Sequence, residues 1–170
     1  MKSKVNIIPC LTSFGIILAA TGCITGNHHK NEHQMSTTAQ TAIFPKGNPQ
    51  PPEYFTGAAF LYPLLSKDKN NEFALGSVTF EPGARTHWHT HPKGQVLIVI
   101  EGEGIYQEKD KPARHLKKGD VVNIPENVEH WHGAAAHSKF VHIAITNYKG
   151  EQNVVWLQPV SEAEYQAANK

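Results

Sequence analysis
Residues 82–95 read PGARTHWHTHPKGQ, with His87, His89 and His91 at every second position. In a β-strand alternate side chains share a face. The spacing therefore predicts a strand over 86–91 that turns three imidazoles one way and Thr86, Trp88 and Thr90 the other. Pro92-Lys93-Gly94 is a turn signal. On the strand that follows, Gln95, Leu97 and Val99 share a face, and a hairpin would bring Gln95 close to His89 and His91. A second stretch, PENVEHWHGA at 125–134, gives His130 and His132 the same relation.

The rest of the folded part reads as more short strands. Candidates lie at 58–61, 73–80, 95–101, 104–109, 121–124, 139–146 and 154–157. Glu81-Pro82-Gly83, Gly102-Glu103-Gly104, Lys117-Lys118-Gly119-Asp120 and Pro125-Glu126-Asn127 separate them as turns. Many short strands at even spacing without intervening helices predict an all-β, double-sheet jelly-roll barrel. Ser161-Glu162-Ala163-Glu164 is a capping-box pattern that opens a short C-terminal helix.

A lone interior histidine is usually a hydrogen-bonded core residue. A cluster is different, because each buried imidazole loses hydration and each nitrogen needs a partner. One divalent cation satisfies several at once, and imidazole is the commonest protein ligand for such ions. His89, His91 and His130 together therefore read as metal ligands. Trp88 and Trp131 have the opposite parity and read as core or subunit-contact residues. His142 in FVHIAI is either an inward-facing pocket residue or packing, whereas His115 and His137 sit in polar segments and read as solvated. Phe80, Leu97, Val99 and Ile124 are candidates for an apolar pocket wall.

Two longer patterns carry a resemblance. Gly83-x5-His89-x-His91-x3-Gln95-x6-Gly102 resembles the first cupin motif, with Gln95 where Glu is usual. Gly119-x5-Pro125-x-Asn127-x2-His130 resembles the second, with Asn127 where Gly is usual. WHTHPKGQ, HWHGAA, YFTG and VVWLQPVSEAEYQ further resemble small bacterial manganese cupins that include hydroxynitrile lyases. Relatives of these are often labelled carboxymuconolactone decarboxylase-like. The resemblance spans roughly residues 43–168 and implies a single cupin domain, a double-stranded β-helix, over 53–170. It implies a homodimer or homotetramer. It also implies one divalent metal per chain on His89, His91, Gln95 and His130, with manganese first and iron, nickel, zinc or cobalt as alternatives.

All four of those ligands are neutral, so a bound ion would keep its full charge. That strengthens it as a Lewis acid and lowers the pKa of a bound hydroxyl. A neutral set also favours M²⁺ over M³⁺ and counts against one-electron redox. His132, two residues beyond a ligand, is the general base that the lyase resemblance implies; the alternative is a residue that orients substrate or a ligand. His87 reads as lining the pocket or standing just behind the ligands. The expected function is a metal-dependent lyase acting on a small molecule, a cyanohydrin or a related hydroxy or carbonyl compound. An iron-dependent cupin oxygenase and a non-catalytic metal- or ligand-binding lipoprotein are the competing readings.

The N-terminus reads as an export signal. Residues 1–22 combine Lys2 and Lys4, an apolar stretch too short and broken to span a bilayer, and small residues before Cys23. The stretch resembles a bacterial lipobox, which implies cleavage before Cys23, a lipid on its sulfur and a periplasm-facing anchored protein, with a freely secreted form as the alternative. Removal of residues 1–22 would leave 148 residues and change the formal charge from +1 to −1. A near-neutral chain makes no electrostatic case for nucleic acid, and a membrane partner only through the lipid anchor. With Cys10 in the signal and Cys23 lipidated, cysteine catalysis is excluded. Residues 23–52, polar and rich in Gly and Pro, read as a tether. His28, His29 and His33 within it read as solvated linker residues or a weak metal scavenger.

Overall fold
The computed structural model describes residues 42–170. The export signal, Cys23 and the tether histidines lie outside the described residues. Twelve strands and one helix follow in order: β1 (Asn48–Pro49), β2 (Phe55–Thr56), β3 (Ala59–Leu65), β4 (Phe73–Phe80), β5 (Arg85–Thr86), β6 (His89–Thr90), β7 (Gln95–Glu108), β8 (Arg114–Lys117), β9 (Val121–Ile124), β10 (His130–Ala134), β11 (Phe140–Asn147), β12 (Val155–Trp156) and α1 (Glu162–Ala168). All pairings are antiparallel, and the main path runs β1-β3-β4-β11-β7-β10-β5-β2. Strands β8 and β9 flank β7, while β6 lies between β10 and β12. The result is the all-β jelly-roll expected, with its short C-terminal helix.

Several elements differ from expectation. The predicted strands at 95–101 and 104–109 are one long strand, β7. Its first half pairs β11 and β9, and its second half pairs β10 and β8, so it carries the chain from one sheet of the barrel to the other. The Gly102–Gly104 segment is the corner rather than a turn. Gly102 has φ +72°, and a Cβ there would lie 1.7 Å from the Lys139 carbonyl oxygen. Only glycine fits both demands. Residues 48–49, expected in the tether, already pair with β3. His115, expected in a turn, lies on β8, with an exposed side chain.

Alternation along the strands builds the core. Val78, Phe80, Leu97, Val99, Val122, Ile124, Phe140 and Ala144 point into the barrel. A second cluster covers the outside of the other sheet: Trp88, Ile105 and Trp131 pack beneath Val160, Tyr165 and Ala168 of the C-terminal segment. Both tryptophans are thus core residues facing away from the histidines. Helix α1 starts as read, with the Ser161 side chain accepting from the Glu164 backbone and Glu164 reaching back to the Ser161 N–H. The buried Arg85 guanidinium stacks on the Tyr165 ring and reaches Glu162, while the Tyr165 hydroxyl donates to the Ala134 carbonyl. These contacts hold the helix against the sheet.

Candidate metal centre
Strands β6 and β10 lie side by side, with His89 opposite His130. Both project into the barrel, as do His91, Gln95 and His132. The rings of His89 and His130 are 4.2 Å apart, those of His89 and His91 5.0 Å, and those of His89 and His132 5.4 Å. Nitrogens of His89, His130 and His132 all lie within 4.8 Å of one another, close enough to share one metal ion. This compact group joins two expected ligands to the expected base. His91 stands at the edge of it, 5.5 Å from the His130 ring.

Each ring is aimed by its own backbone. The Nδ1 of His89 bonds the His87 carbonyl, that of His130 the Val128 carbonyl, and that of His91 the Asn153 carbonyl. A carbonyl can only accept, so the proton sits on Nδ1 and the Nε2 lone pair is left to point elsewhere. Nε2 of His91 and of His130 are buried without a partner. The Gln95 amide repeats the pattern: its Nε2 donates to the Thr146 hydroxyl at 2.9 Å, and Oε1 is buried and unpaired. Unpartnered buried acceptors are costly, and His91 and Gln95 line the same cavity as His89, with the His130 ring 5.5 Å from that of His91. That donor set of imidazole nitrogens and an amide oxygen fits a divalent transition ion.

The field around the rings keeps them neutral. Burial holds His89 and His132 well below 6.5, and the neighbouring imidazoles push in the same direction. Burial likewise lowers His91, and it takes His130 and His142 down to about 4. Neutral imidazole is the form that binds a metal or accepts a proton.

The centre opens onto a cavity of about 450 Å³. His142 lines it, T-shaped to His132 at 4.9 Å and packed against Phe80 and Phe140. Both its ring nitrogens are buried and unpartnered. Of the two places expected for His87, the cavity lining and a position just behind the ligands, it takes the second; Thr86, expected on the other face, lines the cavity, and Phe80, Leu97, Val99 and Ile124, expected in its wall, are core residues outside the lining. The strand predicted over 86–91 breaks at residues 87–88, where both N–H groups bond loops: His87 to Tyr54 and Trp88 to Gln158. The break shifts the parity. Thr86 thereby turns inward, and its hydroxyl bonds both the N–H and the carbonyl of His132. His87 keeps a part through its carbonyl, which aims His89. Trp156, tilted against the His89 ring at 4.8 Å and stacked on Tyr54 at 4.9 Å, joins the site without a signal in the sequence. Asn127 has φ +59°, which explains why its position in the second motif usually holds glycine.

Residues 76–146 match the profile of the cupin domain. The chain is also 41% identical over 115 residues to (R)-mandelonitrile lyase from Granulicella tundricola, covering 68% of this chain and 88% of that one. The chain belongs to the cupin family. Among cupins of known structure, a cupin-like protein from Thermotoga maritima is 49% identical and superposes with a TM-score of 0.72 over 76% of this chain and 98% of that one. A protein with a double-stranded β-helix domain from Klebsiella pneumoniae, 21% identical, shares the fold with a TM-score of 0.54 over 70% of this cupin and 99% of its own length.

Proposed function
We propose that this cupin is a metal-dependent lyase that cleaves a small cyanohydrin, or the corresponding C–C or C–X bond of a related hydroxy or carbonyl compound. The observation that carries the reading is the close group of His89, His130 and His132, flanked by buried acceptors without partners at His91 Nε2, His130 Nε2 and Gln95 Oε1. The identity to (R)-mandelonitrile lyase supports it. His89, His91, Gln95 and His130 would hold one divalent ion, and manganese is the ion we assign, with iron, nickel, zinc and cobalt suited to the same donors. When bound, that ion supplies a Lewis acid that acidifies a substrate hydroxyl, its charge undiminished by four neutral ligands.

The protein's own groups do the rest. His132 is neutral in its buried setting and takes the hydroxyl proton. The O–H electron pair becomes the new carbonyl π bond, and the C–CN bond breaks with its pair leaving on cyanide. The protonated His132 returns its proton to cyanide, which departs as HCN. A base held well below 6.5 accepts a proton only from an acidified hydroxyl, so His132 and the metal-binding residues must act together. Thr86 fixes the His132 backbone through both its bonds. Phe55, Val78 and Trp156 offer an apolar wall that excludes water from the reacting bond.

Elemental analysis of the purified protein, followed by reconstitution of the metal-stripped form with Mn²⁺ and an assay of mandelonitrile cleavage, tests this. About one ion per chain and metal-dependent cleavage are expected. A protein that neither retains nor takes up a divalent metal would refute the reading.

A further inference from the structure
The cavity that holds the histidines has an unusual charge distribution at its rim. Among the described residues lining it there is no aspartate, glutamate or arginine, and Lys67 is the one charged side chain. Its floor is neutral imidazole and amide, and its walls are largely apolar: Phe55, Leu61, Val78 and Trp156. Apart from the divalent ion proposed for the histidines, a charged group that enters meets one charged side chain of the lining, Lys67, which is paired at the rim with Glu151.

Lys67 is placed to use that charge. It follows β3 and reaches across the rim to the turn after β11, where its Nζ donates to the Gly150 carbonyl at 2.7 Å and to Glu151 Oε1 at 2.6 Å. The Tyr148 ring lies 5.2 Å from the same nitrogen. An ammonium has three N–H donors, so two bonds leave one. The Lys67 side chain is only 25% exposed, whereas Glu151 is 93% exposed. A carboxylate so open to water contributes little to an ion pair, and an incoming anion can replace it. The Gly150 carbonyl meanwhile keeps the ammonium at the rim.

From this geometry we infer that the substrate carries a carboxylate, which Lys67 recognises at the rim while the apolar body lies along the Phe55, Val78 and Trp156 wall toward the histidines. The substrate class is then a small hydroxy or carbonyl compound that is also a monocarboxylate. The inference rests on this cavity being the substrate site of the proposed lyase.

Phenylacetate and 2-phenylethanol are matched probes, one anionic and one neutral. They would be titrated by calorimetry into the purified full-length protein with its metal, and into Lys67→Gln and Glu151→Gln variants. A bond to a charged donor corresponds to about tenfold or more in affinity. Phenylacetate should bind about tenfold tighter than 2-phenylethanol, lose that preference in Lys67→Gln, and gain affinity in Glu151→Gln, where the competing carboxylate is gone. The preference should also shrink as salt is raised. Equal binding of the two probes would overturn the inference. So would a preference that survives in Lys67→Gln, since the anion would then be held elsewhere in the cavity. Mandelonitrile cleavage is scored separately, so loss of the lyase reading and loss of the carboxylate preference are distinguishable.

Discussion
Acid should unfold the metal-free protein through its buried histidines, and His142 shows how steeply. Its imidazole is buried against Phe80, Phe140 and His132, with both nitrogens unpaired. Burial lowers its pKa from 6.5 to about 4. The folded state therefore binds fewer protons than the unfolded state between those values. Stability is complete above about pH 6.5 and falls as pH drops toward 4. The slope is about 1.4 kcal/mol per pH unit for each such proton. By pH 4 the loss from His142 alone is on the order of 3 kcal/mol, a large part of a typical 5–15 kcal/mol. His130, also lowered to about 4, adds a loss of similar size. Denaturant titrations of the chelator-stripped protein, followed by tryptophan fluorescence at pH 7, 6 and 5, would read this directly. The His142→Leu variant should reduce the slope by one proton. It should also gain on the order of 1–3 kcal/mol at pH 7, because two unsatisfied buried nitrogens are removed. A stability that is flat from pH 7 to 5, or a slope unchanged in His142→Leu, would show that burial of this imidazole does not drive acid unfolding.

Other outcomes follow from the same contacts. His89→Ala or His130→Ala should lower metal affinity, read by titration with Mn²⁺, by more than the roughly 10–100-fold that removal of an outer-shell partner costs. Thr146→Val, which removes the hydroxyl that receives the Gln95 amide, should weaken the metal by an amount inside that range, with the fold unchanged by circular dichroism. Gly102→Ala combines a left-handed φ with a Cβ 1.7 Å from a carbonyl oxygen. It should lose more than the about 1–3 kcal/mol of backbone strain alone, seen as a lower midpoint of thermal unfolding.

The barrel and much of its centre were legible in the sequence because alternation is a local property. His89, His91, His130 and His132 face the same interior because each pair occupies alternate positions, and Trp88 and Trp131 face away for the same reason. The reading failed where the chain departs from regular strand. Bonds from His87 and Trp88 to distant loops break the strand, which moves His87 out of the cavity lining and Thr86 into it. The long strand β7 looked like two, since the glycines at 102 and 104 signal a turn as readily as a corner. The rest of the site depends on contacts between residues far apart in the chain. Thr146, four residues beyond His142 on β11, had the right parity to be found. The Asn153 carbonyl on His91, Trp156 on His89 and Lys67 at the rim had no local signal.

The step proposed for this cupin joins a metal-binding histidine cluster and a neutral His132 on a substrate hydroxyl. Its most direct test is the rate of mandelonitrile cleavage by His132→Ala relative to the parent protein, both loaded with manganese to the same measured content. A positioned proton acceptor contributes about 10²–10⁴-fold. A loss of that size at unchanged metal content is expected, and undiminished turnover in His132→Ala would show that His132 is not the base.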